Sequence, residues 1–512
     1  MKKLRFFLPL AALGLLASCA NEEVKMPDQP VEPSEGGYYL TFNLDMPSTR
    51  AGETYLEGEA TEEEIKAEEL DVYLLNSNKK VVFVKKGLTV ADGATATEGN
   101  IDKKYTVSIS LENADFTTLK SLAGDDFYVL AVANAKTTNH SYTLDASSYS
   151  DPMIPSFTLN TTSDIAKVVD GSNKGRTMLM SSHDLLKSEA LKTKAQTEAD
   201  VRSAFTGNDT KTLPLGTIEL DRAVARIDIK DGSQNSNWTY NISRTDATSD
   251  INIKLTSIQP FNINDAGVLF RQTAGSNPSK SNSVKELFGN GSWIVDGSWS
   301  NYTAGSDYTK TITNFKNKLS ALKEGSPIDI AASEISSLTG NSYTDGDATW
   351  YYWMYVGENT VPSVDMMKEG AANRETYVTG VAFKFAVQAQ NNGGDLTEDD
   401  ASDDTKRPSS SSYDSQNKKL RLMLSNGKYQ DVIADNSDKK FYLTYYGYIN
   451  HNENPTKDNP AIQDYVILRN HVYRIFVNKI ENLPNPHDAD AYNLTLNVNV
   501  LKWTKKDVGF EF

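Results

Sequence analysis

Few residues of this chain could do chemistry, and the first is its single cysteine, Cys19. A positively charged start and a short apolar run, Phe6 to Leu16, precede it, and this run is too short to span a bilayer as a permanent helix. The small residues Ala17 and Ser18 come directly before the thiol, as in a bacterial lipobox. We predict a lipoprotein signal peptide over residues 1–18 and lipid attachment at Cys19. A plain signal peptide with an incidental cysteine is the alternative.

The second reactive position is Arg50, which stands in the loop sequence MPSTRAG between Thr49 and Ala51. A lone basic side chain in an open loop is what an Arg-specific, trypsin-like protease needs. We predict processing between Arg50 and Ala51, so that residues 19–50 form a propeptide whose segment Asn21 to Gly37 is a polar tether. An ordinary loop arginine after an ordinary edge strand is the alternative.

Other catalytic constellations are missing from the sequence. Its five histidines show no HExxH or other metal-ligand spacing, and there is no GxSxG elbow or Walker A loop. Carboxylates are plentiful, so a glycosidase pair stays open, but nothing selects one pair. We therefore expect no enzyme activity, no cofactor, no disulfide and no metal.

The charge pattern limits the partners. The formal net charge is −16, which argues against nucleic acid and anionic lipid. The acidic, serine-rich stretch Asn391 to Lys418 is expected to be a mobile surface loop. Its carboxylates could attract calcium, but their spacing matches no EF-hand loop, and a solvated acidic loop is the favoured interpretation.

The elements that must position these residues are mainly strands. In Tyr38 to Leu44, an apolar face formed by Tyr38, Leu40, Phe42 and Leu44 alternates with polar residues, which predicts a strand that processing would remove. Further strands are predicted over Leu70–Leu75, Lys80–Val84, Tyr105–Leu111, Phe127–Ala133, Tyr377–Val387, Phe441–Ile449 and Tyr465–Ile480.

Two of the patterned stretches are irregular. Alternation slips by one within Leu215 to Lys230, which predicts one strand with a β-bulge near Asp221 and Arg222. Arg222 and Arg226 could bind a ligand, but a solvated strand face is the commoner setting. The other stretch breaks near Asn470, where a bulge or tight turn is expected, and His471 beside it is interpreted as a packed or hydrogen-bonded core histidine.

The C-terminal region carries a second amphipathic strand. Leu494, Leu496, Val498 and Val500 alternate with Thr and Asn after the connector Glu481 to Tyr492. This strand could belong to the protein's own sheet, or it could be donated to another molecule. The domain boundaries that we predict are 51–231 for an N-terminal β domain, 232–480 for a C-terminal β domain and 481–512 for the connector and donor region.

Several blocks together resemble a known family. They are Met46–Gly52, Leu220–Arg226, Gly357–Thr360, Leu468–Tyr473 and Val498–Trp503. In this order, after a lipobox, they resemble the fimbrilins (type V pilins) of the Bacteroidales, most closely the shaft subunit of the minor fimbrium. The resemblance covers essentially the whole length, although the connector is shorter here than in that subunit.

The resemblance implies two β-sandwich-like (transthyretin-like) domains with few short helices. It also implies a lipidated precursor at the outer membrane, cleavage after Arg50 and loss of the strand with Tyr38, Leu40, Phe42 and Leu44. Loss of that strand would leave an apolar groove, which the donor strand of another copy would fill. Repetition of this step would build an extracellular fimbrium for adhesion and colonisation. The implied partners are other copies, accessory fimbrial subunits and the protease. A tip or anchor subunit, or a glycan-binding surface lipoprotein with a platform of exposed tryptophans, is the alternative.

Overall fold

The fold is taken from a computed structural model of the 512-residue chain. It describes residues 37–45, 56–59, 67–90, 105–135, 156–158, 178–243, 250–269, 272–274, 293–296, 298–300, 309–310, 312–313, 315–326, 329–338, 340, 342–360, 372–390, 394–451, 465–484 and 494–504. The predicted signal peptide, Cys19, Arg50 and Ala51 lie outside these ranges.

The N-terminal part forms one eight-stranded sheet. Its strands are β1 (Tyr38–Asp45), β3 (Glu69–Leu75), β4 (Val81–Thr89), β5 (Tyr105–Leu111), β6 (Phe127–Ala133), β8 (Met180–Ser182), β9 (Leu186–Ser188) and β10 (Lys211–Arg222). Their order is β4-β3-β6-β8-β10-β1-β5, with β9 on β6. Strand β5 buries every second residue, as its alternating sequence predicts, whereas the apolar β6 is almost completely buried.

Two larger sheets form the second part. The six-stranded sheet has the order β2-β30-β29-β11-β23-β22, with β2 (Leu56–Glu59), β11 (Ala225–Lys230), β22 (Ser342–Asp345), β23 (Ala348–Val356), β29 (His471–Ile480) and β30 (Leu494–Thr504). The five-stranded sheet has the order β12-β13-β24-β28, with β21 on β13; its strands are β12 (Thr239–Asn241), β13 (Asn252–Phe261), β21 (Ser333–Glu334), β24 (Gly380–Val387) and β28 (Tyr442–Tyr448).

The remaining strands form small sheets. They are β7 (Ser156–Thr158) with β15 (Ala266–Val268), β14 (Ile263–Asn264) with β20 (Phe315–Lys316), β16 (Gln272–Ala274) with β17 (Trp293–Val295), β18 (Trp299–Ser300) with β19 (Thr309–Lys310), and β25 (Ser411–Asp414) with β26 (Lys419–Met423) and β27 (Tyr429–Ile433).

The helices within the described ranges are short. They are α1 (Asn113–Leu119), α2 (Glu198–Arg202), α3 (Leu319–Lys323), α4 (Ile335–Leu338), α5 (Ala372–Tyr377) and α6 (Glu398–Ala401), with a 3-10 turn at Lys120–Leu122. Thr197 caps α2 by accepting a hydrogen bond from the backbone of Asp200. The chain is thus mainly β with few short helices, as predicted. In the part of the chain described here, no helix has the length and apolar character needed to cross a bilayer.

Three sequence-based predictions are wrong. Leu215 to Lys230 is not one bulged strand, because β10 ends at Arg222 and β11 starts at Ala225 in a different sheet. The strand predicted from Tyr377 starts at Gly380, since Tyr377 still belongs to α5. The acidic stretch is no structureless loop between 394 and 418, where it contains α6 and β25.

Candidate functional site

The predicted removable strand β1 lies inside the N-terminal sheet. It runs antiparallel to β5 from Tyr38, opposite Leu111, to Leu44, opposite Tyr105. On its other side it runs parallel to β10, from Tyr38 beside Lys211 to Asp45 beside Glu219. In the described sheet β5 pairs with β1 alone, so β1 is the strand that joins β5 to the rest.

The apolar face of β1 is deeply buried. Leu40, Phe42 and Leu44 are 1%, 2% and 0% exposed, and all three belong to the main hydrophobic core. Burial of such side chains contributes about 1.5–3 kcal/mol each, so the three contribute about 5–9 kcal/mol as an upper estimate. Without β1, these positions would be an apolar groove between β5 and β10.

The fourth predicted side chain, Tyr38, is only partly buried and occupies a pocket of rings and cations. Its ring meets Phe116 and Phe205 edge-to-face, with centroids 5.1 and 5.5 Å away. The Arg202 guanidinium lies 5.3 Å from the ring centroid, and Lys211 Nζ donates to the phenol oxygen at 3.3 Å. This hydrogen bond from Lys211 lowers the pKa of Tyr38.

A bulge interrupts the pairing of β1 with β10. Thr41 lies beside Pro214, whereas Asn43 lies beside Thr217, so β10 has two residues between these pairs where β1 has one. Within the bulge Gly216 has φ +123°, a conformation that L side chains rarely adopt. On the other side of β1, Thr106 Oγ1 donates to Asn43 Oδ1 at 3.2 Å.

The predicted donor strand lies in β30 of the six-stranded sheet. Its backbone pairs antiparallel with β29, from Leu494 opposite Ile480 to Lys502 opposite His471. Its other edge pairs in parallel with β2, but only over Leu501 to Thr504. In this structure the strand therefore sits in its own sheet.

The block Leu220–Arg226 crosses from one sheet to the other, and hydrogen bonds to the buried side chains of Asp221 and Arg222 stabilise the crossing. His183 Nδ1 lies 2.5 Å from Asp221 Oδ2, and Asn470 Nδ2 donates to Asp221 Oδ1 at 3.3 Å. Arg222 Nη1 donates to Asn470 Oδ1 at 2.9 Å, and the Asn470 backbone donates to the Val224 carbonyl. Asn470 has φ +60°, as the predicted turn requires.

A buried ion pair joins the blocks Gly357–Thr360 and Leu468–Tyr473. Arg469 Nε donates to Glu358 Oε2 at 2.7 Å, and its Nη1 donates to the Leu269 carbonyl at 3.1 Å. Both side chains are almost fully buried. Breaking such a pair from one side costs about 3–5 kcal/mol, which indicates a structural role for these blocks.

The prediction of a solvated face for Arg222 and Arg226 is wrong. Arg226 is 0% exposed and pairs with Asp228, its Nη2 donating to Oδ2 at 3.0 Å. Tyr343 Oη donates to the same carboxylate at 2.6 Å. Burial raises the pKa of Asp228, while Arg226 opposes that shift. His471 is buried, as predicted, with Nδ1 2.8 Å from the Arg469 carbonyl oxygen.

Ion pairs with lysine side chains hold the acidic stretch in place. Lys440 Nζ lies 2.7 Å from Asp395, Lys406 Nζ lies 2.8 Å from Asp400, and Glu398 pairs with Lys418. Among the described residues, no group of three or more His, Cys, Asp or Glu side chains is placed to hold a metal.

The tryptophans that lie closest in sequence do not form an exposed platform. Trp350 and Trp353 are each 4% exposed. The Trp353 indole donates to Ser333 Oγ at 3.1 Å, and Trp350 packs edge-to-face against Phe476. Both therefore belong to the folded interior.

Proteins of bacterial fimbriae are the class to which this chain is structurally similar. No protein-family model matches its sequence, and no curated protein gives a match. Solved structures match over most of the chain, at low identity. One is a fimbrilin, FimA, from Porphyromonas gingivalis, 14% identical, covering 93% of this chain and 99% of that chain, with a TM-score of 0.35.

Two further solved structures are similar over comparable lengths. The tip fimbrial protein Mfa3 of Porphyromonas gingivalis, with a C-terminal truncation, is 14% identical, covers 91% of this chain and 100% of that chain, and has a TM-score of 0.33. A fimbrial assembly protein of Parabacteroides distasonis is 12% identical, covers 87% of this chain and 93% of that chain, and has a TM-score of 0.29.

Proposed function

We propose that this chain is a shaft subunit of a cell-surface fimbria and polymerises by protease-triggered exchange of β strands. The observation that carries the proposal is the position of β1. It lies between β10 and β5, and it buries Leu40, Phe42 and Leu44 in the core of the sheet. Its removal would open a continuous groove with a strand edge on each side.

The loop after β1 contains the proposed processing site at Arg50. Cleavage there separates β1 from the body of the protein, so the strand is held only by its pairing and its buried face. The filament subunit then starts at Ala51 and retains 512 − 50 = 462 residues. The lipid on Cys19 leaves with the propeptide, and the subunit moves from the outer membrane into the extracellular fimbrium.

Strand β30 of another copy is the proposed occupant of the groove. Backbone hydrogen bonds would give affinity, and the alternate side chains Leu494, Leu496, Val498 and Val500 would give register. Because donor and groove lie on different parts of the molecule, the contact is head-to-tail and extends into a filament instead of closing into a dimer.

The partners are therefore other copies, accessory fimbrial subunits and an Arg-specific trypsin-like protease, and adhesion and colonisation are the biological roles. A shaft subunit needs both the Arg50 site and a donor strand. An anchor would keep its lipid, and a tip would need no donor. The burial of Trp350 and Trp353 disfavours the glycan-binding platform.

Processing is tested with Arg50→Ala, which should leave membrane-bound, unpolymerised precursor. Thr49→Ala, which keeps the arginine, is the matched control and should assemble normally. N-terminal sequencing of filament subunits should begin at Ala51. Normal filaments from Arg50→Ala would contradict the removal of β1.

Lipidation is tested with Cys19→Ala, which should abolish labelling by a fatty-acid analogue and block delivery to the surface. Ser18→Ala keeps a small residue before the thiol and should still be labelled. Continued labelling of the Cys19→Ala protein would exclude this residue as the attachment site.

A further inference from the structure

The segment before and within β30 repeats the sequence of β1. Gly37 to Asp45 reads GYYLTFNLD, and Ala491 to Asn499 reads AYNLTLNVN. With a constant offset, Tyr38, Leu40, Thr41 and Asn43 recur as Tyr492, Leu494, Thr495 and Asn497. Phe42 and Leu44 are replaced by the smaller apolar residues Leu496 and Val498.

We propose that the segment Tyr492–Asn499 of a second copy takes the place of β1 residue for residue, in the same direction, with Tyr492 in the Tyr38 pocket. This inference rests on the proposed function and goes beyond it, because it fixes the direction and register of the donor. It adds Tyr492 as a specificity-determining residue and places Leu494 in the position of Leu40.

The Tyr38 pocket suits an aromatic ring with a hydroxyl group. Phe116 and Phe205 pack on the ring, and Lys211 Nζ donates to its oxygen at 3.3 Å. Tyr492 can reproduce each of these contacts. A donor shifted by two residues would place Leu494 there, and it would leave the Lys211 ammonium without that acceptor.

A pair of polar residues on β1 flanks the bulge. Thr41 and Asn43 mark the two sides of the irregular pairing with β10, and Asn43 Oδ1 accepts from Thr106 Oγ1 at 3.2 Å. The donor carries the same Thr-x-Asn sequence at Thr495 and Asn497. Only the proposed register places the amide oxygen of Asn497 next to Thr106 and also sets Thr495 beside Pro214.

The differences between the two segments also fit this register. A Cβ atom on Gly37 would lie 2.7 Å from the Tyr39 ring, so glycine and tyrosine fit together in β1. The donor has alanine in place of Gly37 and asparagine in place of Tyr39, which removes the ring that an alanine methyl would meet. At the other end Asp45 lies beside Glu219, and Asn499 brings no negative charge there.

The register is tested by disulfide cross-linking in assembled filaments. On β5, Thr106, Ser108 and Ser110 lie opposite Asn43, Thr41 and Tyr39, and all three are exposed. They repeat every second residue, so their backbone geometry toward the groove strand is equivalent. Processing after Arg50 removes Cys19, which leaves the filament subunit free of other cysteines.

Asn497→Cys is therefore combined in turn with Thr106→Cys, Ser108→Cys and Ser110→Cys, and each double variant is processed, assembled and oxidised. The expected result is a ladder of linked subunits with the Thr106→Cys partner, at least fivefold stronger than with the other two. Unprocessed precursor of the same variants is the control and should give no ladder.

The outcomes separate the two proposals. A ladder that prefers Ser108→Cys or Ser110→Cys would overturn the register while leaving strand exchange intact. Filaments that give no ladder with any of the three partners would contradict the insertion of this strand beside β5, and with it the proposed function.

The Tyr38 pocket is tested separately through Tyr492. Tyr492→Ala should slow protease-triggered assembly at least tenfold, and Tyr492→Phe, which keeps the ring but not the hydroxyl, should slow it by a few-fold. Precursor melting temperatures of both variants are measured first, so that a folding defect is recognised. Assembly of Tyr492→Ala at the wild-type rate would overturn the assignment of Tyr492 to the pocket.

Discussion

Strands β1 and β30 are similar in sequence but are held very differently. Strand β1 pairs with β5 from Tyr38 to Leu44 and with β10 from Tyr38 to Asp45 apart from the bulge, and Leu40, Phe42 and Leu44 are at most 2% exposed. Strand β30 pairs with β29 from Leu494 to Lys502, whereas β2 pairs only with its last four residues, Leu501 to Thr504. Strand β1, which the proposed function removes, thus has the more extensive strand pairing of the two.

Under the proposed function, this difference indicates where assembly is controlled. A strand that is paired on both sides would leave the sheet only after the covalent cut at Arg50. Among the described residues, β30 pairs with β29 alone from Leu494 to Val500, so it would have to separate from a single neighbour. On this proposal, cleavage is the irreversible step of assembly and separation of β30 from β29 is the reversible step.

The strongest test of this comparison is Phe42→Ala. Phe42 is 2% exposed, so its truncation should lower the free energy of unfolding of the precursor by about 3–5 kcal/mol. Chemical denaturation of purified precursor measures the effect, with the exposed neighbour changed by Asn43→Ala as control. Under the proposed function the processed subunit lacks β1, so its filaments should be unaffected, and less stable filaments would contradict the removal of β1.

A smaller effect is expected from Val498→Ala. The backbone of Val498 pairs with Ile475, which is fully buried, so the precursor should lose about 2 kcal/mol of stability. Unlike Phe42→Ala, this change should also weaken the filament. Val498 belongs to the protein's own sheet and, under the proposed function, to the strand that fills the groove of another copy. A precursor that melts at the wild-type temperature would mean that β30 contributes little to its own sheet.

Acidification should destabilise the C-terminal sheets before the N-terminal sheet. Burial lowers the pKa of His451, whose Nδ1 lies 2.8 Å from the hydroxyl of Tyr473 on β29. Below the ordinary histidine pKa of about 6.5 the unfolded chain binds a proton that the folded chain excludes, so stability falls as pH falls, by about 1.4 kcal/mol per unit.

This loss should be seen between pH 6 and 5, before most carboxylates titrate, and it should start in the C-terminal sheets. Hydrogen exchange of β29 amides against β5 amides measures it. His451→Gln, which removes the titrating group, should flatten the profile. An unchanged slope in that variant would assign the acid sensitivity to other groups.

The smallest effect is expected from Thr106→Ala. It removes the exposed hydrogen bond to Asn43 and should cost the precursor about 0.5–1 kcal/mol. If Asn497 takes the place of Asn43, the filament should lose a similar amount. Ser108→Ala is the matched control on the same strand, and equal losses from both changes would show that the hydrogen bond contributes nothing specific.

The sequence predicts local features of the fold well. Alternation locates β5, the apolar run locates β6, and a short polar residue at positive φ locates the turn at Asn470. Each depends on neighbours a few residues apart. The buried face of β1 is predicted for the same reason, apart from Tyr38, whose pocket is built by α1, α2 and β10.

The sequence does not predict features that depend on residues far apart in the chain. A slip in alternation looks the same whether one strand bulges or the chain passes into another sheet, so the change between Arg222 and Ala225 is missed. Arg222 is wrongly predicted to be solvated, because its hydrogen-bond partner Asn470 lies 248 residues away and the local sequence pattern does not identify it. The similarity of Ala491–Asn499 to Gly37–Asp45 is a distant signal that comparison within the chain does reveal.

The dependence of β5 on β1 has a consequence for timing. Neighbouring strands lie about 4.8 Å apart. A vacant groove would therefore present two unpaired strand edges, those of β5 and β10, roughly 10 Å apart, and would expose the apolar side chains beneath it. Such a surface is a template for any extended peptide and invites aggregation. Under the proposed function, a vacant subunit is therefore a hazardous species, and displacement of β1 by an incoming strand, pair by pair, keeps it from accumulating.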